Sequence, residues 1–189
     1  VAAIDSVGNG TIAWVSRGDI WVNRFDAARS TWDKPLALAT GGNASAVRAG
    51  IGAGGDVLLT WLEGKQHSKE LKFTHYRLAK KTWSETETIE RGVLGEPRMV
   101  VGPTSAFLLW VLDYKQIHIV AFDIATGTWT PGPEFTPPDT RVSRAEIRMD
   151  PTRGNVLVAW KELVLESAPE ATLFVRWFNA AAQEWGPVE

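Results

Sequence analysis

The sequence predicts an all-β protein written as four copies of one four-stranded antiparallel unit, and three observations carry that prediction. An octet with an aromatic residue first, alanine fourth and tryptophan eighth occurs four times, as Phe25 to Trp32, Tyr76 to Trp83, Phe122 to Trp129 and Phe178 to Trp185. A second tryptophan stands upstream of each octet, at Trp14, Trp61, Trp110 and Trp160, at intervals of 47, 49 and 50 residues. The segments around these anchors are short β-branched and aromatic runs without helical period. One octet is noise, but four along one chain are a repeat architecture.

Each unit reads the same way in chain order. A mostly apolar segment opens it: Val1 to Ile4, Val47 to Ile51, Met99 to Val101 and Ile147 to Met149. A turn follows at Gly8-Asn9, Gly55-Asp56 or Gly154-Asn155, with Thr104 in the third unit, residues that favour tight reversals. The second strand ends at the anchor tryptophan, as in Val57-Leu-Leu-Thr-Trp61. The third strand carries Ile20-Trp-Val22, Leu71-Lys-Phe73, Ile117-His-Ile119 and Leu173-Phe-Val175. The first and third residues of each triplet are apolar and predict one buried face. The middle of the octet is a turn, and its tryptophan opens a fourth strand, such as 32–38 or 83–89. Pro35, Pro131, Pro133 and Pro187 suit an edge strand, where a missing N–H disrupts no ladder.

A four-stranded sheet of this size cannot bury both faces alone, and stacking copies radially solves the problem as a β-propeller. The expected blades are 1–40, 46–90, 97–136 and 145–189. A linear sandwich explains less well why both tryptophans recur in every unit. The ring closes with four blades, with a partner chain, or as part of a larger propeller. The absence of a starting methionine before Val1 fits a processed or excised piece.

The aromatic-to-tryptophan spacing, with Asp26 and Asp123 just after the aromatic, resembles the kelch repeat over the whole chain. The kelch double glycine is missing, and Val15-Ser16, Leu62-Glu63, Val111-Leu112 and Lys161-Glu162 follow the anchors instead. The chain is therefore kelch-like and similar to degenerate tryptophan-rich repeats of bacterial extracellular and envelope proteins. That resemblance implies a secreted or envelope location. The sialidase Asp-box needs an aspartate five residues before tryptophan, where this chain has Ala27, Leu78, Ile124 and Ala180.

Composition narrows the function classes. A net charge of -2 over 189 residues gives no global field that would point to nucleic acid or an anionic membrane. There is no cysteine, so disulfides, thiolate metal sites and cysteine nucleophiles are excluded together. The longest apolar run, at residues 106–112, is too short to span a bilayer. His67, His75 and His118 lack metal-ligand spacing, and no metal or cofactor is expected. No phosphate-cradling loop, dinucleotide fingerprint or nucleophile elbow is present.

The octet turns keep one length, whereas the distance from anchor tryptophan to octet aromatic runs 11, 15, 12 and 18 residues. The connections between units vary as well. Variation gathering on one face marks that face as the expected binding surface. The candidates on that face are Lys65, His67, Lys69, Tyr114, Lys115, Arg141 and Arg144, and the expected ligand-binding residues are Tyr114, Arg141 and Arg144 together with the third-strand Trp21. Arg141, Arg144, Arg148 and Arg153 offer an anion patch, or else loop arginines pairing with Asp139, Glu146 and Asp150. Trp21 and Trp177 are either stacking platforms or packed third-strand residues. Trp14, Trp32, Trp61, Trp83, Trp110, Trp129, Trp160 and Trp185 are the structural repeat anchors.

The expected function is a non-catalytic propeller for protein–protein recognition, part of a larger extracytoplasmic bacterial protein. The alternatives are a glycan-binding, lectin-like propeller and a portion of a divergent sialidase- or glycosidase-like enzyme. A glycosidase would need two carboxylates facing each other across about 5–10 Å, and no spacing nominates such a pair. The expected partner is a protein or a glycan, or a second copy of the chain or the rest of a larger ring.

Overall fold

The computed structural model describes residues 1–65, 69–93, 95–135, 141–163 and 171–189, with 143, 163 and 171 described by backbone only. The described residues contain strands and turns and no helix. The chain divides into two compact units, Val1–Val93 and Leu94–Glu189.

The first unit holds two antiparallel sheets. The first sheet comprises β1 (Ala2–Ile4), β2 (Gly10–Ser16), β3 (Asp19–Asp26), β4 (Thr31–Trp32) and β5 (Leu36–Ala39), with β4 and β5 both paired to β3. The second comprises β6 (Ala44–Ile51), β7 (Val57–Glu63), β8 (Glu70–Arg77), β9 (Thr82–Trp83) and β10 (Glu87–Arg91), with β9 and β10 both paired to β8. Ala13, Ile20 and Val22 of the first sheet pack against Val47, Val57, Leu59, Trp61 and Tyr76 of the second.

The second unit repeats the plan. Its third sheet runs β11 (Arg98–Val101), β12 (Ser105–Leu112), β13 (Gln116–Asp123) and β14 (Thr128–Pro131). Its fourth runs β15 (Arg141–Met149), β16 (Val156–Leu163), β17 (Ala171–Asn179) and β18 (Glu184–Val188). Phe107, Leu109, Ile117 and Ile119 of the third sheet meet Ile147, Val156, Val158, Trp160 and Phe178 of the fourth, with Phe135 in the same core.

The octets have one geometry in all four copies. Phe25, Tyr76, Phe122 and Phe178 lie directly opposite Trp32, Trp83, Trp129 and Trp185 across the strand pair. Their ring centroids are 5.3, 5.3, 4.7 and 5.2 Å apart, tilted contacts that stabilise a sheet beyond their buried area. The sixth residue of every octet is left-handed, with φ of 52° at Ser30, 53° at Lys81, 75° at Gly127 and 56° at Gln183. The second residue closes the turn in three of them. Asp26, Asp123 and Asn179 Oδ1 accept from the backbone N–H of Arg29, Thr126 and Ala182.

The octet turn is tied to the first turn of its own sheet. Asn9 Oδ1 accepts from the N–H of Ala27, Asp56 Oδ1 from Leu78, and Asn155 Oδ1 from Ala180. In the third sheet, which has Thr104 in place of the glycine, the backbone carbonyl of Thr104 accepts from Ile124 instead.

Three expectations are corrected. The fourth strand does not run on from Trp32 or Trp83 but breaks at residues 33–35 and 84–86 before resuming as β5 and β10. Pro35 lies in the first break; in the second, Ser84 Oγ accepts the backbone N–H of His75. The first strand of the fourth sheet begins at Arg141, six residues ahead of Ile147, with a register shift between Val142 and Arg144. Arg141, Arg144 and Arg148 are therefore strand residues and not loop arginines. Finally, the expected burial of the Leu173 triplet fails at its first residue, with Leu173 68% exposed and Val175 half-buried. Core packing in β17 comes from the other face, through Phe174 and Phe178.

Candidate functional site

The second-to-third turn of a sheet is bound to the first strand of the next. In the first unit the carbonyl of Gly18 accepts from the N–H of Ala44 at 2.8 Å; in the second, the carbonyl of Tyr114 accepts from Val142 at 2.8 Å. Both turns are tight. Ser16 pairs with Asp19 across Arg17 and Gly18, whose φ values of 53° and 80° are the left-handed pair of a two-residue hairpin. Leu112 pairs with Gln116, and Asp113 and Tyr114 are left-handed at 50° and 55°. An ordinary residue in that conformation is held there by its surroundings.

In the second unit this junction has an opening. A cavity of ≈ 150 Å³ lies between β11, β12 and β15, lined among others by Glu96, Arg98, Val111, Tyr114, Val142 and Arg144. Tyr114 is 61% exposed, so its ring stands in solvent. Glu146 is the electrostatic centre. Its carboxylate lies 3.0 Å from the Arg144 guanidinium, 3.3 Å from Arg148 and 3.6 Å from Arg98, which is also 3.7 Å from Glu96. Burial works against the Glu146 charge, but the arginines outweigh it and hold its pKa below the ordinary carboxylate value. Three guanidinium groups against the carboxylates of Glu96 and Glu146 leave this rim positive.

The nominated residues are thus placed as follows. Tyr114 and Arg144 come together on one cavity, and Arg144 pairs with Glu146. Arg141 opens β15 opposite Leu163 and is not a lining residue. Asp139 and His67 lie outside the described residues. Asp150 accepts from the backbone of Thr152 and Arg153 and so shapes a turn. Trp21 belongs to the first unit, half-buried and stacked on Trp14 with centroids 6.4 Å apart and planes 16° apart. Trp177 is 47% exposed. Among the repeat anchors Trp61, Trp110 and Trp160 are buried, Trp14, Trp83, Trp129 and Trp185 are half-buried, and Trp32 is 51% exposed. The Trp61 and Trp160 indole N–H groups donate to Glu63 and Glu162.

Arg98 was not among the residues nominated from sequence, although it follows Pro97 in one of the variable connections. Its role as a neighbour of Glu146 depends on β11 lying beside β15, a pairing of distant segments that no local pattern encodes. Among the described residues, no group of three or more His, Asp or Glu is placed to hold a metal ion. No helix among them is long and apolar enough to cross a membrane.

No protein-family model and no curated protein matches the chain. Solved structures do resemble it. Hydrazine synthase from Kuenenia stuttgartiensis matches with a TM-score of 0.61 at 12% identity over 97% of this chain and 52% of its own. TolB from Acinetobacter baumannii gives 0.52 at 8% identity over 97% and 41%. A K499G mutant of NanB sialidase from Streptococcus pneumoniae gives 0.54 at 12% identity over 90% and 28%. The chain spans about half the length of these structures or less. At such identities the likeness is one of fold: an all-β array of antiparallel sheets like that of the β-propeller proteins TolB and the sialidase.

Proposed function

We propose that the chain is a non-catalytic β-propeller scaffold for protein–protein recognition, belonging to a larger extracytoplasmic bacterial protein. The observation that carries this reading is the junction at Tyr114. A ring 61% exposed and two arginines surround a cavity of ≈ 150 Å³ held together by the Tyr114–Val142 hydrogen bond. Tyrosine and arginine are the residue types that dominate binding energy at protein interfaces. Small-molecule sites usually enclose about 300–1,000 Å³, so this one suits a single partner side chain. The positive rim favours a carboxylate. The extracytoplasmic setting rests on the resemblance of the octets to bacterial envelope repeats.

The glycan-binding alternative is weaker because one face of Trp21 is already stacked on Trp14. The enzymatic alternative draws on a fold shared with a sialidase, and fold does not carry chemistry.

The test is site-specific photo-crosslinking in the parent cell, with the crosslinker at position 114 or at the octet-turn residue Ala28. Protein adducts at 114, lost on Arg144→Glu, are expected, with none at 28. Adducts only at 28 would overturn the proposal. Glycan-array binding that disappears on Trp21→Ala would favour the lectin-like alternative.

A further inference from the structure

Each unit packs one sheet on the octet pair of the next through equivalent positions, and the two units fill those positions differently. Arg24 stands one residue before the octet aromatic of the first sheet, opposite Thr11 across β2 and β3. Its guanidinium lies 3.8 Å from the centroid of the Tyr76 ring, the octet aromatic of the second sheet. It also lies 3.8 Å from the carboxylate of Asp33, the residue after Trp32, and the Arg24 side chain is 13% exposed. The first unit thus holds a nearly buried guanidinium between an aromatic ring and a carboxylate. A cation over an aromatic face is attracted by the ring's negative charge density, and more strongly out of water.

In the third sheet the residue before the octet aromatic is Ala121, opposite Phe107, and the residue after Trp129 is Thr130. Both the guanidinium and its carboxylate are replaced by small neutral side chains. Phe107 covers part of the octet pair of the fourth sheet, with its centroid 5.1 Å from Phe178 and 6.1 Å from Trp185. Beside it lies a cavity of ≈ 240 Å³, lined among others by Phe107, Ala121, Asp123, Thr130, Phe178 and Trp185. A cavity of roughly 150 Å³ already admits a benzene ring, so a guanidinium and part of its chain fit here. Among the described residues lining it, Asp123 is the one that carries charge. Its Oδ1 accepts from the backbone N–H and the hydroxyl of Thr126. These bonds hold its pKa below the ordinary carboxylate value and keep it ionised at neutral pH.

Both walls of this cavity are internal to the second unit. Strands β12, β13 and β14 form one, and the octet of the fourth sheet forms the other. Glu189 exchanges both backbone bonds with Val175, three residues along β17 from Phe178.

We infer that this cavity binds a guanidinium group carried on an alkyl chain, seated beside Phe178 and Trp185 with its charge towards Asp123. Arg24, on Tyr76 and beside Asp33, is the chain's own example of that arrangement. The site shares no residue with the cavity at Tyr114 and takes the opposite charge, so it stands whether or not that cavity recognises a protein.

The experiment is an NMR titration of the parent protein with acetyl-arginine amide, its neutral isostere acetyl-citrulline amide, and agmatine. The arginine amide should bind, and the citrulline amide should bind about tenfold more weakly or less. Asp123→Asn should weaken arginine binding by a similar factor while keeping the octet turn, as Asn179 keeps that of the fourth sheet. Ala121→Arg should abolish binding with an unchanged circular dichroism spectrum, because it places in the cavity the side chain that Arg24 supplies in the first unit. Should that variant unfold, Thr130→Asp restores the other half of the first-unit pair and is expected to tighten arginine binding. Tighter binding of the arginine amide than of agmatine assigns the site to an arginine within a peptide, and the reverse order to a small free cation. Equal binding of the arginine and citrulline amides would overturn the inference, as would arginine binding that neither Asp123→Asn nor Ala121→Arg alters. So would no binding at all, the result expected if another segment of the parent protein fills the cavity.

Discussion

The carboxylate of Asp56 accepts the backbone N–H of Leu78 at 2.8 Å with one oxygen and meets Nε2 of His75 at 3.3 Å with the other. Asn9 and Asn155 make the same tie to the octet turn in the first and fourth sheets through an amide. The second sheet has placed a carboxylate there, with a histidine that is 3% exposed beside it. Asp56→Asn should therefore keep the tie, while Asp56→Ala should destabilise by about 1–3 kcal/mol, the penalty for leaving buried donors unmet. Urea denaturation of the two variants checks the contrast, and equal losses would remove the staple as an explanation.

His75 makes the fold sensitive to acid. Burial pushes its pKa below the ordinary 6.5, the contact with Asp56 opposes that shift, and Arg77 and Glu87 add smaller opposing effects. The unfolded chain takes up the proton near 6.5 and the folded chain only at lower pH. Stability is then present above 6.5 and is lost as pH falls from there towards the lowered folded value. Unfolding free energy measured above and below that point should rise with pH, and His75→Gln should flatten the rise. An unchanged slope in the variant would assign the effect to other groups.

The anchor tryptophans should separate by burial. Trp61 is 0% exposed under the first sheet, so Trp61→Ala is expected to destabilise by about 3–5 kcal/mol. Trp14 and Trp21 stack on each other, half-buried on an open face, and either alanine variant should lose clearly less. Thermal and urea unfolding provide the measure. Losses at Trp21 equal to those at Trp61 would rule out Trp21 as an available stacking platform.

The four octets, the anchor spacing and the number of sheets were legible in the sequence because each is a local pattern repeated four times. The break after Trp32 was not, since it depends on where β5 rejoins β3 beyond Pro35. The start of β15 at Arg141 was obscured because arginines alternate there with Val142, Ala145 and Ile147, and a register shift interrupts the parity. At the candidate site, Tyr114 and Arg144 could be named from loop variation alone. Glu146, two residues on from Arg144, could be named as its partner as well, but Arg98 joins them only through the packing of β11 on β15, a contact between segments more than forty residues apart. The triplet rule failed at Leu173 because alternation tells which residues share a face and not whether anything covers it.

The left-handed sixth residue of the octet predicts opposite effects for opposite exchanges. Gly127→Ala should destabilise by about 1–2 kcal/mol, because φ of 75° is unfavourable for a residue with Cβ. Lys81→Gly and Gln183→Gly relieve that same conflict at 53° and 56° and should fall between neutral and about 1 kcal/mol stabilising. Chemical denaturation decides the sign. A destabilised Lys81→Gly would mean that the lysine side chain supports the turn beyond its backbone shape.

Gly18 should be the least replaceable glycine in the first unit. Its φ is 80°, and a Cβ built on it would lie 2.2 Å from the carbonyl oxygen of Gly42, a backbone atom that cannot swing aside. The close approach exists because the Gly18 carbonyl accepts from Ala44 while Asp19 Oδ1 accepts from the N–H of Gly42. Gly18→Ala should accordingly lose more than the ~1–2 kcal/mol of the backbone conformation alone. Gly54 has no atom within 4 Å of a built Cβ and no left-handed φ, so Gly54→Ala should stay within about 0.5 kcal/mol of wild type. If both variants unfold at the wild-type denaturant midpoint, the turn-to-strand junction does not bear on stability. The equivalent bond from Val142 to the Tyr114 carbonyl would then not be expected to bear on stability either.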